Sequence, residues 1–159
     1  MSSLPPTNSA ACAAVGPLAQ PGSAEELRIW GMAFPPRPRS VGRVRAQVRS
    51  VLDEWKIQDE TVDALVLVAS ELVTNGIRVC SSANIVHVQL TMEEGSLLLE
   101  VSDPSAIWPC EVAAGPEDES GRGLLLAREL AQEFGAVARD HIGKTVCARF
   151  TLPAGRPGG

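Results

Sequence analysis

Between residues 41 and 55, Val41, Val44, Val48, Val51, Leu52 and Trp55 recur every three or four positions, the spacing that lines one face of an α-helix. Ser40 stands just ahead of them as an N-cap, because its hydroxyl can accept a hydrogen bond from a free N–H of the first turn. A second helix is predicted from near Asp59 to about Cys80, with Val62, Leu65, Val66, Ala69, Leu72, Val73, Ile77 and Cys80 on its apolar side. Against that side, Glu71, Asn75 and Arg78 are spaced i, i+4, i+7 and fall on one polar stripe. Such a stripe is either a solvated face or the wall of a site.

The period then changes to two. IVHVQLTM sets Val86, Val88, Leu90 and Met92 against Ile85, His87, Gln89 and Thr91, and EEGS makes a turn. LLLEVSD is the partner strand and ends at Asp103. His87 falls on the less buried phase, as an ordinary surface histidine. From Pro104 to Ser120 the periodicity is lost and Pro, Gly and acids accumulate; a loop of that length in a compact domain is commonly functional or mobile. GRGLLLARELAQEFG predicts a third helix with Leu124, Ala127, Leu130, Ala131 and Phe134 inward and Gly135 as its C-terminal stop. GAVARD and TVCARFTL read as two last strands joined at HIGK, and ELRIWGMAF as a short strand before the first helix. After that opening strand the order is helix, helix, hairpin, long loop, helix, hairpin. The predicted class is α/β (α+β): a two-layer sandwich, its mixed or antiparallel sheet covered by helices on one face.

Composition narrows the function classes. The 159 residues suit one domain with a sizeable core. Residues 1–26 are rich in Ala, Pro and Ser and are expected to form a disordered tail, 27–152 the folded domain, and 153–159 a second tail. Met32 is a second candidate translation start. A net charge of −5 argues against direct nucleic-acid binding, which needs a clustered basic surface. No apolar run approaches the ~20 residues of a membrane span, and the Ala-rich start lacks the basic flank of a signal peptide. Cys12, Cys80, Cys110 and Cys147 show no CxxC spacing and, with two histidines, no metal-ligand pattern. They are expected as reduced thiols in a cytoplasmic protein.

Three elements could meet in one site. Glu71 and Asn75 stand one helical turn apart, where a carboxylate can deprotonate a nucleophile and an amide oxygen can ligate Mg²⁺. Asp103 ends a strand, so its carboxylate can accept from a ligand amine, although Asp-Pro is also a routine turn starter. Gly121-Arg122-Gly123 stands directly before an apolar helix, whose free N–H groups suit phosphate; the same glycines could simply make a flexible loop exit.

In this order, SELVTNG, VSDPS, SGRGLLL and GKTV resemble the Asn box, the two Gly boxes and the closing strand motif of the GHKL, or Bergerat-fold, ATP-binding domain found in DNA gyrase, histidine kinases and MutL. The likeness spans about residues 34–152 and is greatest to the single-domain anti-sigma-factor serine/threonine kinases of the actinobacterial type. The resemblance implies ATP and Mg²⁺ as cofactors. Asn75 would hold the metal and Glu71 would be the catalytic residue, activating the attacking hydroxyl or water. Asp103 would read the adenine amine, with Thr145 assisting through a water. Gly121 and Gly123 would let a lid of about residues 105–120 close over the triphosphate, while Arg78 and Arg122 would contact phosphate or remain solvated. The implied partners are a sigma factor and an anti-sigma antagonist, the latter as phosphoryl acceptor, and members of this branch often form homodimers, for which exposed apolar positions on the first helix would serve. The alternative is a binding module that keeps the fold without turnover. It draws on the first Gly box, which reads Asp103-Pro104-Ser105-Ala106-Ile107 without a glycine, and on the acids Glu111, Glu117, Asp118 and Glu119 in the lid. Both features predict weaker nucleotide binding than in typical members.

Overall fold

The alternating and the three-to-four-residue patterns become strands and helices close to where they were predicted. The computed structural model of the chain describes residues 27–58, 60–105, 119–139 and 142–152; the two predicted tails and most of the predicted lid lie outside them. The elements are β1 (Arg28–Phe34), α1 (Pro38–Glu54), α2 (Glu60–Val79), β2 (Val86–Glu93), β3 (Ser96–Asp103), α3 (Glu119–Leu130), β4 (Glu133–Ala138) and β5 (Lys144–Thr151).

All strand pairs are antiparallel, in the order β1-β2-β3-β5-β4. The β2–β3 hairpin turns on Glu94 and Gly95, both at positive φ (39° and 76°), the twist-compatible geometry of a two-residue hairpin turn. The helices lie on one face. α2 is the central one, packing on α1, α3 and the strands β2, β3 and β5. Val88, Leu90, Leu97, Leu99, Val101 and Ala148 from the sheet meet Val44, Val48, Leu52, Leu65, Val68 and Val73 from the helices, all of them 1 % exposed or less. This is the antiparallel form of the predicted two-layer sandwich.

Local competition moved two boundaries. Ser40 is not the N-cap of α1. Pro38 starts that helix, since its fixed φ suits a first position whose N–H needs no partner, and Arg37 caps it without a side-chain hydrogen bond. Ser40 is buried as the third residue of the helix, and its hydroxyl donates to the Pro35 carbonyl at 2.8 Å. The third helix stops at Leu130, not at Gly135. Gln132 N–H donates to the Arg149 carbonyl at 2.8 Å, and from Glu133 onward the chain pairs with β5. Ladder bonds to a neighbouring strand replace helical ones there. Phe134 still packs on the core, from a strand rather than a helix.

Cys80 is a free thiol, whereas Cys147 is disulfide-bonded, which corrects the expectation of reduced thiols throughout. Among the described residues, no helix is long and apolar enough to cross a membrane. α1 exposes no large apolar side chain; those that are exposed, such as Ile29 and Leu67, lie elsewhere. The surface expected on the first helix for a homodimer is therefore not there.

Candidate functional site

The site is built where the C-terminal half of α2 crosses the end of β3. Gly76, one residue after Asn75, is buried against the sheet: a Cβ there would stand 3.7 Å from Asp103 Oδ2 and 3.8 Å from Val86 Cγ1. Glu71 and Asn75 on the same helix are half-buried, and Arg78 is exposed. The structure thus sets the Asn75 turn beside Asp103 and leaves Arg78 at the rim.

Asp103 is in phase with Leu97, Leu99 and Val101 on β3 and so points into the helix-covered face. It is 2 % exposed. Its Oδ1 accepts the Ser105 N–H at 2.8 Å, the Asx turn that an Asp-Pro exit favours. The same oxygen accepts Lys144 Nζ at 2.9 Å, in an ion pair whose two side chains are each 2 % exposed. Register explains this, because Asp103 lies directly opposite Lys144 on β5 and facing residues of paired strands share a face. The Cys80 thiol, just past the end of α2, lies near enough to this carboxylate to feel its charge. Burial, first, and then the Asp103 charge raise its pKa above the ordinary 9.0, so the thiol stays protonated at neutral pH.

One register step moves Thr145 away from this cluster. It faces the opposite side of the sheet, where its hydroxyl lies 2.8 Å from that of Ser102, and the structure does not bring it to Asp103. Lys144 is the residue that sequence reasoning missed, although a signal existed. In KTVCARFT, Lys144 alternates in phase with Val146, Ala148 and Phe150. A lysine in the apolar phase of a strand needs a buried partner, and Asp103 is in phase with the apolar side of β3. Gly143, at φ +93°, holds Lys144 there: a Cβ would lie 2.0 Å from the Asp103 carbonyl oxygen.

Gly121, Arg122 and Gly123 are placed by their backbone. α3 begins at Glu119, so they lie inside its first turns and not before them. An α-helix leaves only its first four N–H groups without helical partners. Gly121 N–H belongs to that set and Gly123 N–H does not. Residues 106–118, which include Glu111, Glu117 and Asp118, lie outside the described residues. A separate groove of about 340 Å³ opens on the helix-free face, lined by Gly31, Ala33, His87, Gln89, Glu100 and Ser102 among others; none of the predicted site residues borders it. Burial raises the pKa of Glu100 there above its ordinary 4.5.

The profile of the family described as "Histidine kinase-like ATPase domain" matches residues 34–150, which takes in α1, α2, both hairpins and α3. The chain belongs to this family. No curated protein matches the sequence. Among solved structures, one described as the RsbU and RsbW domains of Rv1364c from Mycobacterium tuberculosis is 19 % identical with a TM-score of 0.58, over 79 % of this chain and 32 % of that one. The histidine kinase domain of the Erythrobacter litoralis EL346 blue-light activated histidine kinase is 19 % identical with a TM-score of 0.48, over 75 % of this chain and 62 % of that one. The chain therefore spans about a third of the first of these proteins and under two thirds of the second. The first likeness establishes the shared fold.

The histidine kinase-like ATPase family implies an ATP site, and its two ends fit unequally here. At the phosphate end, the Asn75 amide and the free N–H groups opening α3 have the right chemistry for metal-bound phosphate. Among the described residues, no three of His, Cys, Asp and Glu gather as a metal cluster. At the base end the fit is partial, because Oδ1 of the buried Asp103 already receives Lys144 Nζ and the Ser105 N–H.

Proposed function

We propose that this histidine kinase-like ATPase domain is an ATP-binding regulator of the anti-sigma-factor serine/threonine kinase kind, which phosphorylates an anti-sigma antagonist in the cytoplasm. The observation that carries the reading is the half-buried Glu71–Asn75 stripe of α2, set beside the buried Asp103 across Gly76. ATP would supply the transferable phosphoryl group. Glu71 would take the proton of the attacking hydroxyl, and Asn75 would hold Mg²⁺ through its amide oxygen. Gly121 N–H would face phosphate, Arg78 at the rim would add positive charge, and Arg122 would contribute a second one. In phosphoryl transfer a protein mainly positions groups and neutralises charge, which this set can do without a metal cluster of its own. Thr145 is given no part in base reading, because it stands on the other face of the sheet. A solved protein of the same fold contains an RsbW domain, in keeping with a sigma factor and an antagonist as partners, though at that identity it speaks for the fold alone. The net charge of −5 favours protein partners over nucleic acid.

The second reading, a binding module that acts by contact alone, is favoured by the Lys144 ion pair on Asp103 Oδ1 and the glycine-free stretch after it. Calorimetry with Mg-ATP on wild type and Asn75→Ala tests the site; the kinase reading expects Mg²⁺-dependent binding that the substitution weakens. Glu71→Ala then separates the two readings. If partner regulation persists unchanged in Glu71→Ala, turnover is not the mechanism and the module reading stands.

A further inference from the structure

The helix-free face of the sheet carries polar groups of its own. Register sets Gln89 directly opposite Glu100 and His87 directly opposite Ser102, while Gly31 and Ala33 of β1 pair with Gln89 and His87. All six share that face, because alternate strand residues do. The two small residues leave open the groove of about 340 Å³ that the other four help to line. Glu100 is half-buried there, and burial is what raises its pKa, with no cation beside it among the described residues. Gln89 Nε2 turns toward Thr91 Oγ1 at 3.5 Å, which leaves the amide oxygen for an outside donor. Glu93, on the same face, is 6 % exposed, and its Oε2 has no hydrogen-bond partner among the described residues. The cation on these strands' open side is Arg149, already 2.9 Å from Ser96 Oγ and 3.3 Å from Glu133. Three carboxylates, of Glu93, Glu100 and Glu133, thus share the described part of the face with one guanidinium.

We propose that this groove seats an arginine side chain of a partner protein, with the Glu100 carboxylate as its counter-charge. The carboxylate offers two oxygens to a guanidinium, and the Gln89 amide oxygen and the Ser102 hydroxyl stand in the neighbouring pairs as further acceptors. A planar fork with five N–H donors can use several of these at once, whereas an ammonium acts as a point charge. Part of the Glu100 hydration is already lost in the unbound chain, so a charge-assisted bond formed there is stronger than one at a fully solvated carboxylate. The openness of the groove decides for a protein over a small molecule. Gly31, Ala33 and His87 are exposed, and a free ligand lying on them would keep much of its surface in water, whereas small-molecule sites bury most of theirs. A partner's surface closes the groove as it delivers the side chain. The excess of carboxylates on the face favours a basic partner surface. None of this depends on the nucleotide reading of the other face.

The test is a nuclear magnetic resonance titration of the full chain with N-acetyl-arginine-methylamide, following the amides of Gly31, Ala33, His87, Gln89, Glu100 and Ser102. Saturation is expected with a dissociation constant of about 1–10 mM, as suits one side chain acting alone. The lysine counterpart should bind about threefold more weakly or worse, and the citrulline counterpart, which has the shape without the charge, should not bind. Glu100→Gln should weaken the arginine probe by about tenfold or more. Ala33→Leu, which fills the groove without changing its charge, should do the same, and it decides the matter if Glu100→Gln does not fold. Glu54→Gln, at an exposed carboxylate on α1, should change nothing. Equal binding of the citrulline probe, no saturation by about 50 mM arginine probe, or unchanged affinity in Ala33→Leu or a folded Glu100→Gln each overturns the proposal. Saturation by agmatine below about 10 μM would make the occupant a free small molecule and overturn the assignment to a partner protein.

Discussion

Breaking the Asp103–Lys144 pair from one side should cost far more than removing it whole. With the charges 2.9 Å apart, an effective dielectric of about 20 gives an attraction of about 6 kcal/mol. Most of that offsets the desolvation of two groups that are each 2 % exposed. Asp103→Asn leaves the ammonium buried without its counter-charge, and Lys144→Met leaves the carboxylate. Each single change is expected to cost about 3–5 kcal/mol. The double variant keeps an oxygen for the Ser105 N–H and fills the lysine volume with apolar atoms, so it should return to within about 1–2 kcal/mol of wild type. Urea denaturation of the four proteins measures this, provided the slopes agree and show the same surface exposed on unfolding. The expected coupling energy is about 3 kcal/mol or more. Single variants costing under about 1 kcal/mol, and additive within about 0.5 kcal/mol, would show a hydrated pair and refute the argument from burial.

Gly143→Ala forces a Cβ to 2.0 Å from the Asp103 carbonyl oxygen at φ +93°, and a thermal melt should show a loss of more than about 2 kcal/mol. Gly76→Ala meets only ordinary contacts at 3.7 and 3.8 Å, so in the same assay it should gain up to about 1 kcal/mol from helix propensity; a loss would mean α2 packs closer than it does here. Leu99→Ala, at a position with 0 % exposure on the central strand, should cost about 2–5 kcal/mol in urea denaturation. Glu100 has its pKa raised by burial, so the folded state keeps that proton to higher pH than the unfolded chain. Stability should fall as pH rises from about its ordinary 4.5 through the folded pKa. Melting temperatures across that range should decline less in Glu100→Gln than in wild type, and parallel curves would refute the assignment.

Much of the fold was legible because its signals are local. The three-to-four-residue recurrence from Val41 to Trp55 and the alternation through Val86–Met92 each report which side of an element faces the core. The errors sit where a local preference met a competitor from elsewhere. Ser40 is a good cap, but Pro38 two residues earlier starts the helix. Phe134 continues a helical spacing, but β5 offers its backbone a ladder. In the site, the placing of Asn75 and Glu71 on one stripe and of Asp103 at a strand end was readable directly. The helix position of Gly121 and Gly123 was not, because their spacing alone does not say where the first turn begins.

The amino-acid sequence by itself determined the layers, the polar stripe of α2 and the phase of every strand residue, since these follow from the geometry of single elements. It therefore already contained the fact that Lys144 shares the apolar side of its strand and that Thr145 does not. Only the tertiary structure decided that the last strand inserts between β3 and β4, and that its register sets Lys144 opposite Asp103. Periodicity reports the face a side chain shares but not the strand it will meet, because strand pairing is settled by the burial of the whole helix layer against the sheet. That pairing turned a carboxylate that looked open to a ligand into one already held by the chain's own cation.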